Sequence, residues 1–347
     1  MRLAVIGCGA VTTTYHLPAL RLTGEFVPTA FVDLDLDCAR RAAAQWPGVV
    51  VTADLEEAIA NADAALVATP HSSHGAIAGA CLRQGRHVLC EKPLAVTVDE
   101  CDSLLQASEQ SKAVLSVGLM RRCIGANQVV RSLLSARWAG EVVGFHFEEG
   151  ERYNWPTTSG FFWKKETAGG GVLVDTGAHT LDLLTWWLGD WESVEYWDDS
   201  LGGLETNCEL RVRLKELPGV EGTVQLSRTH ELSNVLRIEC SGGWIEVDAR
   251  PPWALALHDR RSGVTARAVA ELAERSLRSG EPVLPAVNQP FAAMWQQFAR
   301  AVRGEPHGLA TAAEARSSAG LMEACYARRQ VLAQPWLPGA PGPREGA

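Results

Sequence analysis

RLAVIGCGAVTTTYHLPAL, residues 2–20, decides the first half of the chain. An apolar run ending at Ile6 meets Gly7 and Gly9, and a helical pattern follows near residues 11–23. A glycine closing a strand permits a tight turn, and a second lets backbone amides approach a ligand. The N-terminus of the next helix adds a partial positive charge. Gly7, Cys8, Gly9, Ala10 and Val11 are therefore expected to cradle a pyrophosphate. Thr12 departs from the expected glycine or alanine, setting a β-branched side chain where helix and strand should pack closely.

Outward from this loop, FVPTAFVD (26–33) closes on Asp33, near the spacing of about 20 residues at which an acidic residue accepts both hydroxyls of an adenosine ribose. The same carboxylate repels a 2′-phosphate, so NAD is favoured over NADP. VVVT (49–52), AALVATP (64–70), HVLCEK (87–92) and AVLSVGL (113–119) follow, separated by helical patterns at 37–46, 54–61, 73–84 and 97–111. Such alternation predicts a doubly wound parallel sheet covered by helices on both faces, a Rossmann arrangement.

Beyond residue 140 the texture changes. Runs at 142–153, 193–200, 208–217, 219–229, 235–242 and 243–249 alternate with period two and follow one another without helices between. They predict an α+β unit with a large, mostly antiparallel open sheet. Its helices are expected at 124–136, 176–188, 265–279, 290–303 and 311–329. The division reads as 1–120, 121–335 and a Pro/Gly-rich tail, 336–347, and a chain of 347 residues exceeds what one core usually serves.

A net charge of −9 gives no electrostatic attraction to nucleic acid or an anionic membrane. No apolar run approaches the ~20 residues of a membrane helix, and the first residues enter a strand without a basic leader, so a cytoplasmic protein is expected. The nine cysteines are scattered and lack CxxC pairs, which predicts buried thiols rather than disulfides or a metal site.

Two segments carry chemistry. HVLCEKPLA (87–95) ends a strand in Glu91-Lys92-Pro93, and a lysine leaving the carboxyl end of such a strand points toward the ligand crevice. A plain strand-end ion pair is the competing reading. GGGVLVDTGAHTLDLLTWWLGD (169–190) places Asp175, His179, Asp182 and Trp186 within an arc of roughly 60° on a helix. Leu181, Leu184 and Leu188 fall opposite. Asp175 as a helix cap and His179 as a partner of Asp182 or Asp175 is the alternative to a working face.

GCGAV with Asp33, TPHSSH (69–74), EKPLA and GGGVLVDTGAHTLD together resemble, in order and over nearly the whole chain, the Gfo/Idh/MocA family of nicotinamide-dependent oxidoreductases. The resemblance implies hydride transfer at a carbinol or ketone carbon of a sugar, nucleotide sugar or cyclitol, and a homodimer or homotetramer formed through the C-terminal sheet. It implies that Lys92 contacts nicotinamide ribose and substrate, and that Asp175 and His179 form the acid/base pair. Thr69, Pro70, His74 and Glu91 join the cofactor set. In YNWPTTSGFFWKK (153–165), Trp163 and Lys164 are expected near the nicotinamide and Trp155 near the substrate. Arg121 is expected to bind substrate, Arg121 and Arg122 reaching either the cofactor or an anionic substrate unless they merely face water, and Gly169 to Gly171 are expected to bring backbone beneath cofactor or substrate. Whether Lys92 or His179 is the base stays open. Glycoside cleavage by oxidation and elimination on tightly held NAD, and a non-catalytic NAD(H)-binding regulator, are the alternative functions; the Lys92, Asp175, His179 set argues against the regulator.

Overall fold

The computed structural model describes residues 1–155, 159–269 and 288–333, arranged on two sheets. The first holds β1 (Arg2–Ile6), β2 (Val27–Val32), β3 (Val50–Thr52), β4 (Ala64–Val67), β5 (His87–Cys90) and β6 (Leu115–Val117), all parallel, in the order β6-β5-β4-β1-β2-β3. Between them run α1 (Leu17–Thr23), α2 (Leu36–Ala43), α3 (Leu55–Ala60), α4 (His74–Arg83) and α5 (Val98–Ser111). The side chains of Asp35, Asp54 and Thr97 accept backbone N–H bonds at the starts of α2, α3 and α5, where helical amides have no partner of their own. Strand order reverses between β1 and β4, and that reversal opens the crevice at the carboxyl ends of both strands.

Thr12 is absorbed by a local change of helix type. Residues Thr12–His16 form a π-helical turn ahead of α1. The Thr12 side chain is fully buried, and its hydroxyl donates to the Gly7 carbonyl at 2.7 Å, so the residue that departs from the glycine pattern closes the loop itself.

The second sheet has nine strands. They are β7 (Val142–Gly150), β8 (Trp191–Asp198), β9 (Asn207–Leu214), β10 (Glu221–Ser227), β11 (Val235–Cys240), β12 (Gly243–Asp248), β13 (Leu255–Asp259), β14 (Val264–Ala268) and β16 (Arg329–Val331). Pairing is antiparallel except where β7 meets β10 and β8 meets β16. Helices α6 (Gly125–Ser135), α7 (Lys165–Ala168), α8 (Val172–Leu188), α9 (Gln289–Val302) and α10 (Ala312–Ala327) follow among the described residues. The helix expected at 265–279 is corrected at its start, because Val264–Ala268 pairs with β13 as a strand. The remainder of that stretch from residue 270, residues 156–158, and the tail from 334 lie outside the described residues.

Beyond residue 121 the chain does not stay with the second sheet. Helix α9 packs on α1, and its Phe291, Met294, Trp295 and Phe298 share a core cluster with Leu3, Val5 and Phe31. A two-residue strand, β15 (Ala310–Thr311), then pairs antiparallel with β6, extending the first sheet to seven strands. All nine cysteines are free and seven of them are buried.

Candidate active site

The crevice is a cavity of about 930 Å³ running from Asp33 to His179. At one end Gly7, with φ +91°, lies so close to the β4 exit that a Cβ there would stand 2.3 Å from the Ala68 carbonyl oxygen. Only glycine fits that approach and that dihedral. Gly9, Ala10, Val11 and Asp33 line the same end, with Thr69, Pro70 and Glu91 further in. Cys8 works through its backbone: its N–H donates to Asp33 Oδ2 at 2.9 Å, while its side chain sits in the core and burial pushes the thiol up to about 12. The Asp35 N–H holds Asp33 Oδ1, also at 2.9 Å, so the carboxylate is fixed with acceptor capacity to spare. A glycine cradle without room for a side chain, a helix start and a fixed acidic acceptor fit a nicotinamide dinucleotide.

At the other end, Lys92 leaves β5 and crosses to α8. Its ammonium donates to Asp175 Oδ1 at 2.7 Å and to the Asp175 carbonyl at 2.8 Å. The second oxygen of Asp175 accepts from Arg228 at 2.6 Å, from the end of β10. Burial alone would raise the Asp175 carboxyl, but Lys92 and Arg228 override it and hold the group well below the ordinary carboxylate range. His179, one turn along α8, also lines the cavity, and its Nδ1 has no hydrogen-bond partner among the described residues. Burial, then Lys92 and Arg121, drive its pKa well below the usual histidine value, so the imidazole is neutral. Arg121 lines the cavity as expected, yet its guanidinium is held by both oxygens of Glu149, which also accepts from Thr180 at 2.8 Å.

Several expected residues stand elsewhere. Asp182 and Trp186, further along the same face of α8, do not reach the cavity that Asp175 and His179 line. Asp182 is fully buried and paired with Arg122 at 2.7 Å, and Trp186 lies under the same guanidinium, so Arg122 and Asp182 form a structural ion pair away from the cavity. His74 borders the cavity, but its ring nitrogens meet the Pro93 and Thr69 carbonyls at 2.7 and 2.8 Å, and it braces the β4 exit against the Lys92-Pro93 turn. Trp163 and Lys164 are exposed and outside the cavity wall; Phe161 and Phe162 line it instead, edge-on to His71. The register of this strap is set by His71, whose Nδ1 meets the Ala168 carbonyl at 2.8 Å. Trp155 lines the cavity and stacks on Tyr15 at 5.7 Å.

The three glycines are also corrected. Gly169 packs against Val96, Gly170 against Tyr326, and a Cβ on Gly171 would fall 1.9 Å from the Glu205 carbonyl oxygen. None lines the cavity. They admit Glu205, whose buried carboxylate accepts from the Gly171 and Leu173 N–H groups at 2.8 and 3.1 Å and from the Tyr326 hydroxyl at 2.8 Å. This cap starts α8 at Val172 rather than at 176. Arg228, Glu149 and Tyr153 are among the lining residues that sequence reasoning missed. Arg228 lies over the Tyr153 ring at 4.8 Å.

Residues 1–119 match the family model described as an oxidoreductase family with an NAD-binding Rossmann fold, and residues 127–246 match the GFO/IDH/MocA C-terminal domain. A putative UDP-kanosamine synthase oxidoreductase subunit from Amycolatopsis mediterranei is 35% identical over 190 residues, 54% of this chain and 52% of that protein. An inositol 2-dehydrogenase/D-chiro-inositol 3-dehydrogenase from Shouchella clausii is 33% identical over 201 residues, 55% of this chain and 54% of the relative. The chain thus spans about half the length of the curated relatives it matches. A dehydrogenase from Bordetella pertussis, solved with NADH and UDP-GlcNAcA, shares the fold with a TM-score of 0.77 at 21% identity, over 94% of this chain and 96% of that one. Among the described residues, no helix is long and apolar enough to cross a membrane.

Proposed function

The chain belongs to the Gfo/Idh/MocA oxidoreductase family, with an NAD-binding Rossmann fold at its N-terminal end, and on that premise we propose that it transfers a hydride between NAD and a secondary alcohol or ketone carbon of a sugar or cyclitol. The observation that carries this reading is the meeting of Lys92 with Asp175 at 2.7 Å, beside a neutral His179 that lines the cavity, at the far end of the cavity from the glycine loop. The nicotinamide, when bound, supplies the hydride acceptor or donor.

The residues divide the remaining work. Lys92, bonded to the Asp175 carboxylate, donates hydrogen bonds and stabilises negative charge on the reacting oxygen. His179, neutral and lining the cavity, takes the hydroxyl proton on oxidation and returns it on reduction. Asp175 fixes Lys92, and Arg228 fixes Asp175. The aromatic wall of Tyr15, Trp155, Phe161 and Phe162 excludes water from the reacting carbon. Relatives named as inositol dehydrogenases support the cyclitol side of this reading.

The test is nicotinamide reduction, followed by absorbance, against a panel of free sugars, phosphorylated sugars, nucleotide sugars and inositols. Lys92→Ala and His179→Ala should each lower kcat by roughly 10²-fold or more, the usual loss when a positioned acid/base is removed. A chain that binds NADH tightly while no polyol supports turnover would be a regulator instead.

A further inference from the structure

We infer that the reacting end of the cavity takes an uncharged polyol, a free sugar or cyclitol, rather than a uronate, sugar phosphate or nucleotide sugar. The inference rests on the proposed dehydrogenase reading and narrows its substrate class.

Four cations line this end, and each already faces a carboxylate. Lys92 and Arg228 share Asp175 at 2.7 and 2.6 Å. Arg121 is gripped by both oxygens of Glu149. Arg250 lies 3.3 Å from both Glu151 and Glu231. Asp175, Glu149 and Glu151 line the cavity themselves, so an incoming anion would meet three carboxylates before it found an unclaimed guanidinium. Releasing Arg121 would strand the buried carboxylate of Glu149, which is 6% exposed, and releasing Arg228, itself buried, would leave Asp175 with Lys92 alone. Stranding one partner of a buried pair is strongly unfavourable.

A hydroxyl group suits the same wall. It donates and accepts at once, and each ion pair offers an acceptor oxygen beside donor N–H groups. Carboxylates and phosphates only accept, and gain nothing from the acceptor oxygens of Asp175 and Glu149. Trp155 stacked at 5.7 Å on Tyr15 adds a flat apolar surface, suited to the C–H face of a ring and neutral to its charge.

The experiment uses the full chain in two arms. With NAD⁺, kcat/KM is measured for glucose, glucuronate, glucose 6-phosphate, UDP-glucose and myo-inositol. With the chain saturated by NADH, the same compounds are titrated by calorimetry. Glucose or myo-inositol is expected to exceed every anionic compound by at least tenfold in either arm. Glu149→Gln, which frees Arg121, should narrow that gap. An anionic compound used or bound as well as the neutral ones overturns the inference while leaving the dehydrogenase reading intact. Selective binding of a neutral polyol without turnover upholds the inference and removes the reading. Failure of every compound to bind or turn over removes both.

Discussion

Asp33 and Arg228 show what a single residue does here and how differently the two announce themselves. Asp33 is readable because its meaning depends on local order: a glycine loop, a helix, and a strand ending in an acid. The structure adds that two backbone N–H groups, those of Cys8 and Asp35, pin its carboxylate. Hydrogen bonds to a charged group contribute about 1.5–3 kcal/mol, so Asp33→Ala should narrow the preference for NAD over NADP by roughly ten- to a hundredfold, read as the ratio of kcat/KM for the two cofactors. Arg228 gives no such signal. It follows an alternating strand, 53 residues from Asp175, and nothing in its neighbours separates it from any strand-end arginine. With Arg228→Met, Asp175 keeps only Lys92, and kcat should fall by about the same ten- to a hundredfold while the affinity for NADH is unchanged. Arg228→Lys should recover part of the loss, because the charge returns without the planar fork. Equal losses in kcat for Met and Lys, with weakened NADH binding, would mark a general packing defect instead.

Elements were legible in proportion to how far they are specified by their own residues. The parallel strands are continuous apolar runs punctuated by turn residues, and each expected run contains the observed strand, from Arg2–Ile6 to Leu115–Val117. Helix α8 is the instructive failure. Its polar face reads as one stripe, but three partners from other parts of the chain divide it: Arg122 claims Asp182, while Lys92 and Arg228 claim Asp175. Its start is set by Glu205, 34 residues beyond Gly171, and the glycines answer to that carboxylate rather than to a ligand. Gly171→Ala tests this assignment. The new Cβ has only 1.9 Å to the Glu205 carbonyl oxygen, a backbone atom that cannot swing aside. Overpacking of this kind costs roughly 1–3 kcal/mol, and the midpoint of denaturant unfolding should drop accordingly. Because α8 carries Asp175 and His179, kcat should fall in the same variant even where it is fully folded. An alanine variant with wild-type stability would show that the helix start has more room than the geometry gives it.

At the scale of the whole molecule, the site is a seam. His71 and His74 come from the turn and helix after β4, and His179 comes from α8 on the second sheet. All three are held below the ordinary histidine range: His71, to about 3, by burial and then by His74 and Lys92; His74 by burial; and His179 by burial and then by Lys92 and Arg121. A folded pKa below the unfolded value of about 6.5 means that, as pH falls, the unfolded chain takes up protons first. The stabilisation is therefore complete above about pH 6.5 and is lost on acidification. With His71 and His179 neutral in the folded chain, the slope approaches about 2.7 kcal/mol per pH unit once the unfolded histidines are charged. Depressed carboxylates such as Asp175 add to the loss only at lower pH, near their unfolded value of about 3.9. Acid should thus act on the junction of the two sheets before it acts on the carboxylates. Unfolding midpoints measured in denaturant should fall steeply from pH 7 to pH 5, and NADH at saturating concentration should raise the midpoint at every pH without removing the slope. A stability curve flat across that interval would mean that these histidines charge freely in the folded chain, and that the neutral imidazole on which the proton transfer depends is not what the seam enforces.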